Sequence, residues 1–165
     1  MAGIAKGTVY NYYKNKDEML AELGLKALRL LHEQFQTNSA KATHSIDKVK
    51  AICMTGYHYN RQYPEYFNLI THMERPEFDI KTTAYLSISH DIQKLTGDII
   101  VQGQQKGELK ADFDVTLTNY ILWACCVGVV QFVDSKRKLL KNYHEIDTER
   151  MIRQYADMIT TGIQA

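Results

Sequence analysis

Lys6, Thr8, Tyr10, Asn11 and Tyr12 crowd five hydrogen-bonding side chains into one short segment, and Lys14 and Lys16 follow closely. Lys6, Lys14 and Lys16 are the only charges before Asp17, so this end is locally basic. Such a patch is what a phosphate-facing surface needs. A tyrosine hydroxyl beside a lysine suits phosphate oxygens, while Thr, Asn and Lys can reach base edges in a major groove. Gly3 suits the turn before such a segment, because glycine adopts positive φ at no steric cost. Ile4 and Val9 are placed to plug a small core from either side of a short helix. The plainer alternative is a solvated, lysine-bearing helix whose tyrosines pack on a neighbour.

A second group of candidates lies mid-chain: Tyr57, His58, Tyr59, Tyr63, Tyr66, Phe67, His72, Phe78 and Tyr85, joined by Trp123. Amphipathic aromatics with Met54 and Met73 can line an adaptable pocket between helices. Plain core packing is the alternative for any one of them. Catalysis has little support. The chain has no Gly-x-Ser-x-Gly elbow, no phosphate-cradling glycine loop and no Glu-x-x-His pair. His58 and His72 are the sole basis for a small helical enzyme or a metal pair. A lone histidine on an aromatic face is more often a satisfied core residue. No enzyme activity, cofactor or metal is therefore expected.

The elements that must position these residues are helical. The chain has 165 residues, 45% of them apolar, and only two prolines. No segment alternates with a strand's period, so the fold is expected to be all-α. Asn15 with Glu18 forms an N-cap and capping-box pair, which starts a helix at Lys16 running to about Phe35. The polar stretch from Gln36 to Ser45 reads as a loop, and Ser45 or Thr43 as the cap of a helix reaching Gln62. Pro64 opens a short helix that ends near Arg75, with Pro76 closing it. A long helix is expected from about Ile80 to Lys106, with Gly107 just past its end. Asp112 or Asp114 then caps a helix from Val115 to about Leu140, and the last helix spans about Asp147 to Gly162.

The net charge of +1 excludes a general polyanion binder, so any nucleic-acid contact must be local. Lys136-Arg137-Lys138 reads as a solvated helix end set favourably against the macrodipole. Cys53, Cys125 and Cys126 show no disulfide or metal spacing, which fits a reducing, cytoplasmic setting. No signal peptide is visible. The apolar run from Tyr120 to Val133 is read as too short to span a bilayer and as a buried helix, so no membrane partner is expected. That helix is apolar nearly all round and must be covered on more than one side. Ile121, Ala124, Gly128 and Phe132 would form one face, with small residues that allow close approach. Tyr155 and Ile159 lie on the stripe of the last helix. The two helices together would make a four-helix bundle with a second copy of the chain.

The order Gly3-Ile4-Ala5-Lys6-Gly7-Thr8-Val9-Tyr10-Asn11-Tyr12-Tyr13-Lys14-Asn15-Lys16-Asp17-Glu18-Met19-Leu20 resembles the recognition-helix signature of the TetR family of transcriptional regulators. Ala5 departs from the family's Ser or Thr cap, and Tyr13 from its buried phenylalanine. The Gly107-Glu108-Leu109 connector also looks like that family's regulatory domain. The resemblance implies that Lys6, Thr8, Tyr10, Asn11 and Tyr12 face DNA and that Lys16 holds a phosphate. The two helices that precede the recognition helix in the family do not appear in this sequence, so a helix-turn-helix remnant is expected. Residues 1–36 would then be the end of the DNA-binding domain with its connecting helix, and 37–165 a ligand-binding and dimerisation domain. The family's inducer pocket would fall on Tyr57, Phe67, Met73, Tyr85, Ile88, Trp123 and Cys126, and would take an apolar or aromatic small molecule. The implied function is a homodimeric, ligand-responsive DNA-binding regulator, with repression relieved by ligand. The alternative is a ligand-binding and dimerisation module that lacks DNA binding because its helix-turn-helix is incomplete.

Overall fold

A computed structural model describes residues 15–75, 77–78 and 82–165. Among these residues six helices account for nearly all regular structure: α1 Lys16–Ser39, α2 Ser45–Gln62, α3 Pro64–Met73, α4 Thr83–Gln105, α5 Val115–Tyr143 and α6 Thr148–Ile163. The all-α expectation is met. Side-chain caps set four of the starts. Asn15 accepts from Glu18 N at 2.8 Å, Thr82 from Tyr85 N at 3.2 Å, Asp114 from Leu117 N at 2.8 Å and Asp147 from Glu149 N at 3.0 Å. Each satisfies one of the orphan N–H groups of a first turn.

Two boundaries differ from the sequence reading. Helix α1 continues four residues past Phe35, because its buried stripe goes on through Ser39. Asn38, on the exposed-looking polar turn, donates to Thr55 Oγ1 on α2 at 3.1 Å. A tertiary bond thus holds a turn that composition alone assigned to a loop. Helix α2 is capped by neither Ser45 nor Thr43. Ser45 is its first helical residue, and the Ser45 N–H donates to Glu108 Oε2 at 2.6 Å. The cap comes from a residue 63 positions away, beyond the reach of any local pattern. Pro76 and Ile80 lie outside the described residues.

The end of α4 explains how Glu108 arrives there. Gly107 has φ +68°, a conformation open to glycine at little cost. Glu108 N donates to Gly103 O at 2.8 Å and Gly107 N to Gln104 O at 3.1 Å, the paired bonds of a Schellman turn. The connector then runs beside the chain's last residues, with Lys110 N donating to Ile163 O at 3.0 Å.

Helix α2 sits at the centre and packs on all five others. On one side Leu28, Leu31, Phe35, Tyr59, Phe67 and Met73 belong to the larger core. Tyr59 is fully buried, and its hydroxyl donates to Ala27 O at 2.8 Å, so no polar atom is stranded there. On the other side Val49, Cys53, Ile99, Ile100, Leu109 and Ala156 form a smaller core under α6.

Helix α5 is covered on one side only. Cys126, Val130 and Val133 are buried, whereas Leu117, Ile121 and Phe132 are 64%, 57% and 48% exposed. The apolar run is also part of a 29-residue helix, which by length and composition alone is long enough to cross a membrane. That corrects the reading of the run as too short. The helix extends beyond the run at both ends, and polar flanks such as Asn119 are paired within the bundle.

Candidate ligand site and interaction surfaces

A cavity of about 500 Å³ lies between α1, α2, α4 and α5, within the range of small-molecule sites. Leu28, Leu31 and Phe35 from α1 and Val49, Ile52 and Cys53 from α2 form an apolar wall. Helix α5 adds Leu122, Trp123 and Cys126. Helix α4 adds Tyr85, Leu86 and Ile92, and beside them Ser89, Gln93 and Thr96 from α4 with Asn119 and Tyr120 from α5 bring polar groups to the lining. These groups stitch the two helices together. Thr96 Oγ1 donates to Asn119 Oδ1 at 2.6 Å, Asn119 Nδ2 to Gln93 O at 2.9 Å, and Gln93 Nε2 to the Tyr120 hydroxyl at 3.2 Å. The Trp123 indole donates to Glu74 Oε1 at 3.0 Å, tying α5 to the end of α3.

The Cys53, Cys126 and Tyr85 side chains of the lining stay uncharged at neutral pH. Burial pushes the Cys53 thiol up to about 11 and raises Cys126 further. Burial, with the nearby Glu74 charge, pushes the Tyr85 hydroxyl up to about 12. Thiols held protonated are poor nucleophiles. Neither buried thiol is therefore set up to attack a molecule in the cavity.

Of the seven sequence-stated pocket candidates, Tyr85, Trp123 and Cys126 line this cavity. Tyr57, Phe67 and Met73 are buried in the larger core instead, and Ile88 packs against that core. The Tyr57 hydroxyl pairs with Thr148 Oγ1 at 3.0 Å, which turns it towards α6. The α1 wall and the Gln93–Asn119 side were missed. Leu28, Leu31 and Phe35 lie on the buried stripe of α1, and nothing local marks part of it as facing empty space. His58 and His72 are both exposed, the first tilted against Tyr57 and the second edge-on to Phe78. They sit on different helices and neither lines the cavity.

Lys6, Thr8, Tyr10, Asn11 and Tyr12 lie outside the described residues. Lys16 is exposed at the first position of α1. Ile121, Ala124, Gly128 and Phe132 are exposed along one face of α5, and a Cβ added at Gly128 would meet nothing within 4 Å. On α6 the outward apolar residue is Met158, 69% exposed. Tyr155 instead packs against the smaller core, with its hydroxyl buried beside Cys53, a weak partner at best. Ile159 is half-buried.

In class, this is an all-α bundle with a ligand-sized interhelical cavity and an uncovered helix face. No family model matches the chain. It is 26% identical over 121 residues to the HTH-type transcriptional repressor KstR2 of Mycolicibacterium smegmatis, covering 70% of this chain and 57% of that protein. It is 25% identical over 125 residues to the fatty acid metabolism regulator protein of Bacillus subtilis, covering 74% and 63%. The chain thus spans less than two thirds of either curated relative it matches. Its fold is shared with a regulatory protein of the TetR family from Rhodococcus RHA1, at TM-score 0.74 and 14% identity over 98% of this chain and 81% of that one. It is also shared with the transcriptional regulator FadR from Bacillus subtilis in complex with stearoyl-CoA, at TM-score 0.75 and 18% identity over 99% and 84%. The sequence is thus similar to those of two transcriptional regulators, and the fold is shared with solved regulators of the TetR family.

Proposed function

We propose that this chain is the ligand-binding and dimerising part of a cytoplasmic, DNA-binding transcriptional repressor that releases its operator when ligand binds. The observation that carries the reading is the position of α1. It follows directly on the recognition-helix signature, and its Leu28, Leu31 and Phe35 form one wall of the cavity. Gly24 packs so closely on Met73 and Tyr85 that an added Cβ would lie 2.3 Å from the Met73 sulfur. A ligand pressing on Tyr85 or Leu28 would therefore bear on the helix that carries the DNA-contacting segment. Two chains joined through α5 and α6 would set the spacing of two recognition helices against successive major grooves. Ligand would bias that spacing only by binding one arrangement more tightly than the other.

Residues 1–36 serve as the end of the DNA-binding head with its connecting helix, and residues 37–165 as the regulatory domain. Lys6, Thr8, Tyr10, Asn11, Tyr12 and Lys16 are the DNA-contacting set. Ile121, Ala124, Gly128 and Phe132, with Met158 added, form the dimer face. The ligand carries an apolar chain. An acyl thioester is favoured, since the FadR structure that shares this fold holds stearoyl-CoA. The test is selection of duplexes from a randomised pool by the full-length protein, followed by elution with stearoyl-CoA. The expected result is an enriched palindrome that stearoyl-CoA elutes and free coenzyme A does not. No sequence enrichment would leave a ligand-binding module without DNA binding. Enrichment without elution would overturn the ligand response.

A further inference from the structure

We infer that the mouth of the cavity is closed by a second copy of the chain, so that the ligand site is complete only in the pair. This rests on the dimer and ligand-site readings above and adds that pairing and ligand binding are coupled.

The mouth lies between α4 and α5. Among the described lining residues, Leu86 is 52% exposed and Tyr120 56%, and Gln93 is exposed with them. The opposite wall is closed, since Leu31, Phe35, Val49 and Cys53 are buried. The bond from Gln93 Nε2 to the Tyr120 hydroxyl crosses the mouth at 3.2 Å and is open to solvent. A bond in that setting competes with water, adds little net stability and cannot shut the opening by itself.

Tyr120 belongs to two surfaces. It lines the cavity, and Leu117 and Ile121 flank it on the outside of α5. From there a stripe runs along the helix at three- and four-residue spacing through Leu117, Ile121, Ala124, Gly128 and Phe132, all of them exposed. Its small residues stand at the middle. Helix α5 spans Val115–Tyr143, and Gly128 sits beside the midpoint with nothing within 4 Å of an added Cβ. A second α5 crossing there brings two backbones close while the bulky side chains pack to either side, which is the self-complementary fit a two-fold axis requires. The area suits a pair. An aromatic side chain offers about 150–250 Å², and Tyr120, Phe132 and Tyr143 are 56%, 48% and 79% exposed. With Leu117, Ile121 and Met158 the face offers several hundred Å² of apolar surface, approaching the roughly 800 Å² a side of a stable interface. A lone soluble chain rarely leaves that much uncovered.

A copy seated on Leu117 and Ile121 lies beside Tyr120 and covers the rim. A ligand in the cavity then meets both chains at its outer end. By linkage, the ligand tightens the pair because the pair tightens the ligand.

The test uses the whole chain with stearoyl-CoA as the probe, read by Trp123 emission, beside Phe132→Glu. Phe132 lies about three turns from Tyr120 and does not line the cavity, so the change breaks the pair and spares the lining. The monomeric variant is expected to keep its helicity and to bind stearoyl-CoA at least about tenfold more weakly than the paired parent. Diluting the parent below its dimer dissociation constant should reproduce that loss, which separates pairing from any harm done by the substitution. In sedimentation equilibrium stearoyl-CoA should lower the same constant by at least about tenfold. A monomeric chain that binds as tightly as the pair would overturn the inference, and so would a dimer constant that the bound ligand leaves unchanged. A parent that is monomeric with and without ligand would bring down the dimer reading and this inference with it. A paired parent that binds no stearoyl-CoA would bring down the ligand-site reading instead, and the inference with that.

Discussion

Two glycines of α4 lie six residues apart and should respond in opposite senses to the same substitution. At Gly97 an added Cβ would meet Val115 Cγ1 at 3.8 Å and Asn119 Nδ2 at 3.9 Å, which are ordinary contacts. Gly97→Ala should therefore gain the helix preference of alanine, about 0.5–1 kcal/mol. At Gly103 the same atom would lie 2.6 Å from Leu109 Cγ and Cδ1 and 2.8 Å from Ser45 Cβ. Carbon pairs rest at about 3.5–4.0 Å, so the neighbours must retreat by ~1 Å. Neither can do so freely. Leu109 is buried in the smaller core, and Ser45 is buried with its N–H held by Glu108. Overpacking costs about 1–3 kcal/mol, and loss of the Glu108 cap adds about 1 kcal/mol. After the alanine gain, Gly103→Ala should lower stability by about 1–3 kcal/mol. For a chain of this length that is a fall in Tm of roughly 2–10 °C. Thermal melts of both variants beside the parent, at one protein concentration, provide the assay. Equal Tm values for the two variants, or a more stable Gly103→Ala, would refute the close-packing argument.

Ile121→Glu combined with Phe132→Glu should convert a dimer to a monomer with little change in helicity, as sedimentation equilibrium with circular dichroism can read. A parent chain that is already monomeric would remove the dimer face from the account. The Ser45 N–H and then His44 hold the Glu108 carboxyl down to about 2, so it binds fewer protons folded than unfolded. Its contribution is complete above the ordinary carboxylate value of about 4.5 and is lost as pH falls towards about 2. Glu108→Gln should flatten the acid limb of the stability profile in that window, and an unchanged slope would contradict the cap. Cys53 and Cys126 are buried and their thiols are held protonated, so iodoacetamide at pH 8 should label half-buried Cys125 well before either. Mass spectrometry showing Cys126 modified first would place it outside the core.

Periodicity and local capping made the fold legible. Asn15, Gly107 and Asp114 act within a few residues of themselves, so pattern alone located the starts of α1 and α5 and the end of α4. What escaped the sequence were elements fixed at a distance. The last turn of α1 is held by Asn38 reaching Thr55, and the start of α2 by Glu108. The cavity was only partly legible. Aromatic content drew attention to Tyr57 and Phe67, which fill the core. The walls are ordinary aliphatic residues of α1 and α2 whose side chains stop short of touching those of α4 and α5. Such a gap depends on how helices are spaced. The same reasoning separates Tyr155 from Met158. They lie on one broad stripe of α6, and only the approach of α2 determines which of them turns inward.

Trp123 is the chain's only tryptophan and lies in the cavity wall, so its emission reports occupancy directly. The most direct test of the central claim is titration of the chain with stearoyl-CoA while that emission is followed, beside Ser89→Phe, which places a ring in the cavity. The expected result is a saturable change at one ligand per chain that the Ser89→Phe variant loses while its Tm stays within a few degrees of the parent. A chain whose Trp123 emission does not respond saturably, or a variant that binds as tightly as the parent, would contradict it.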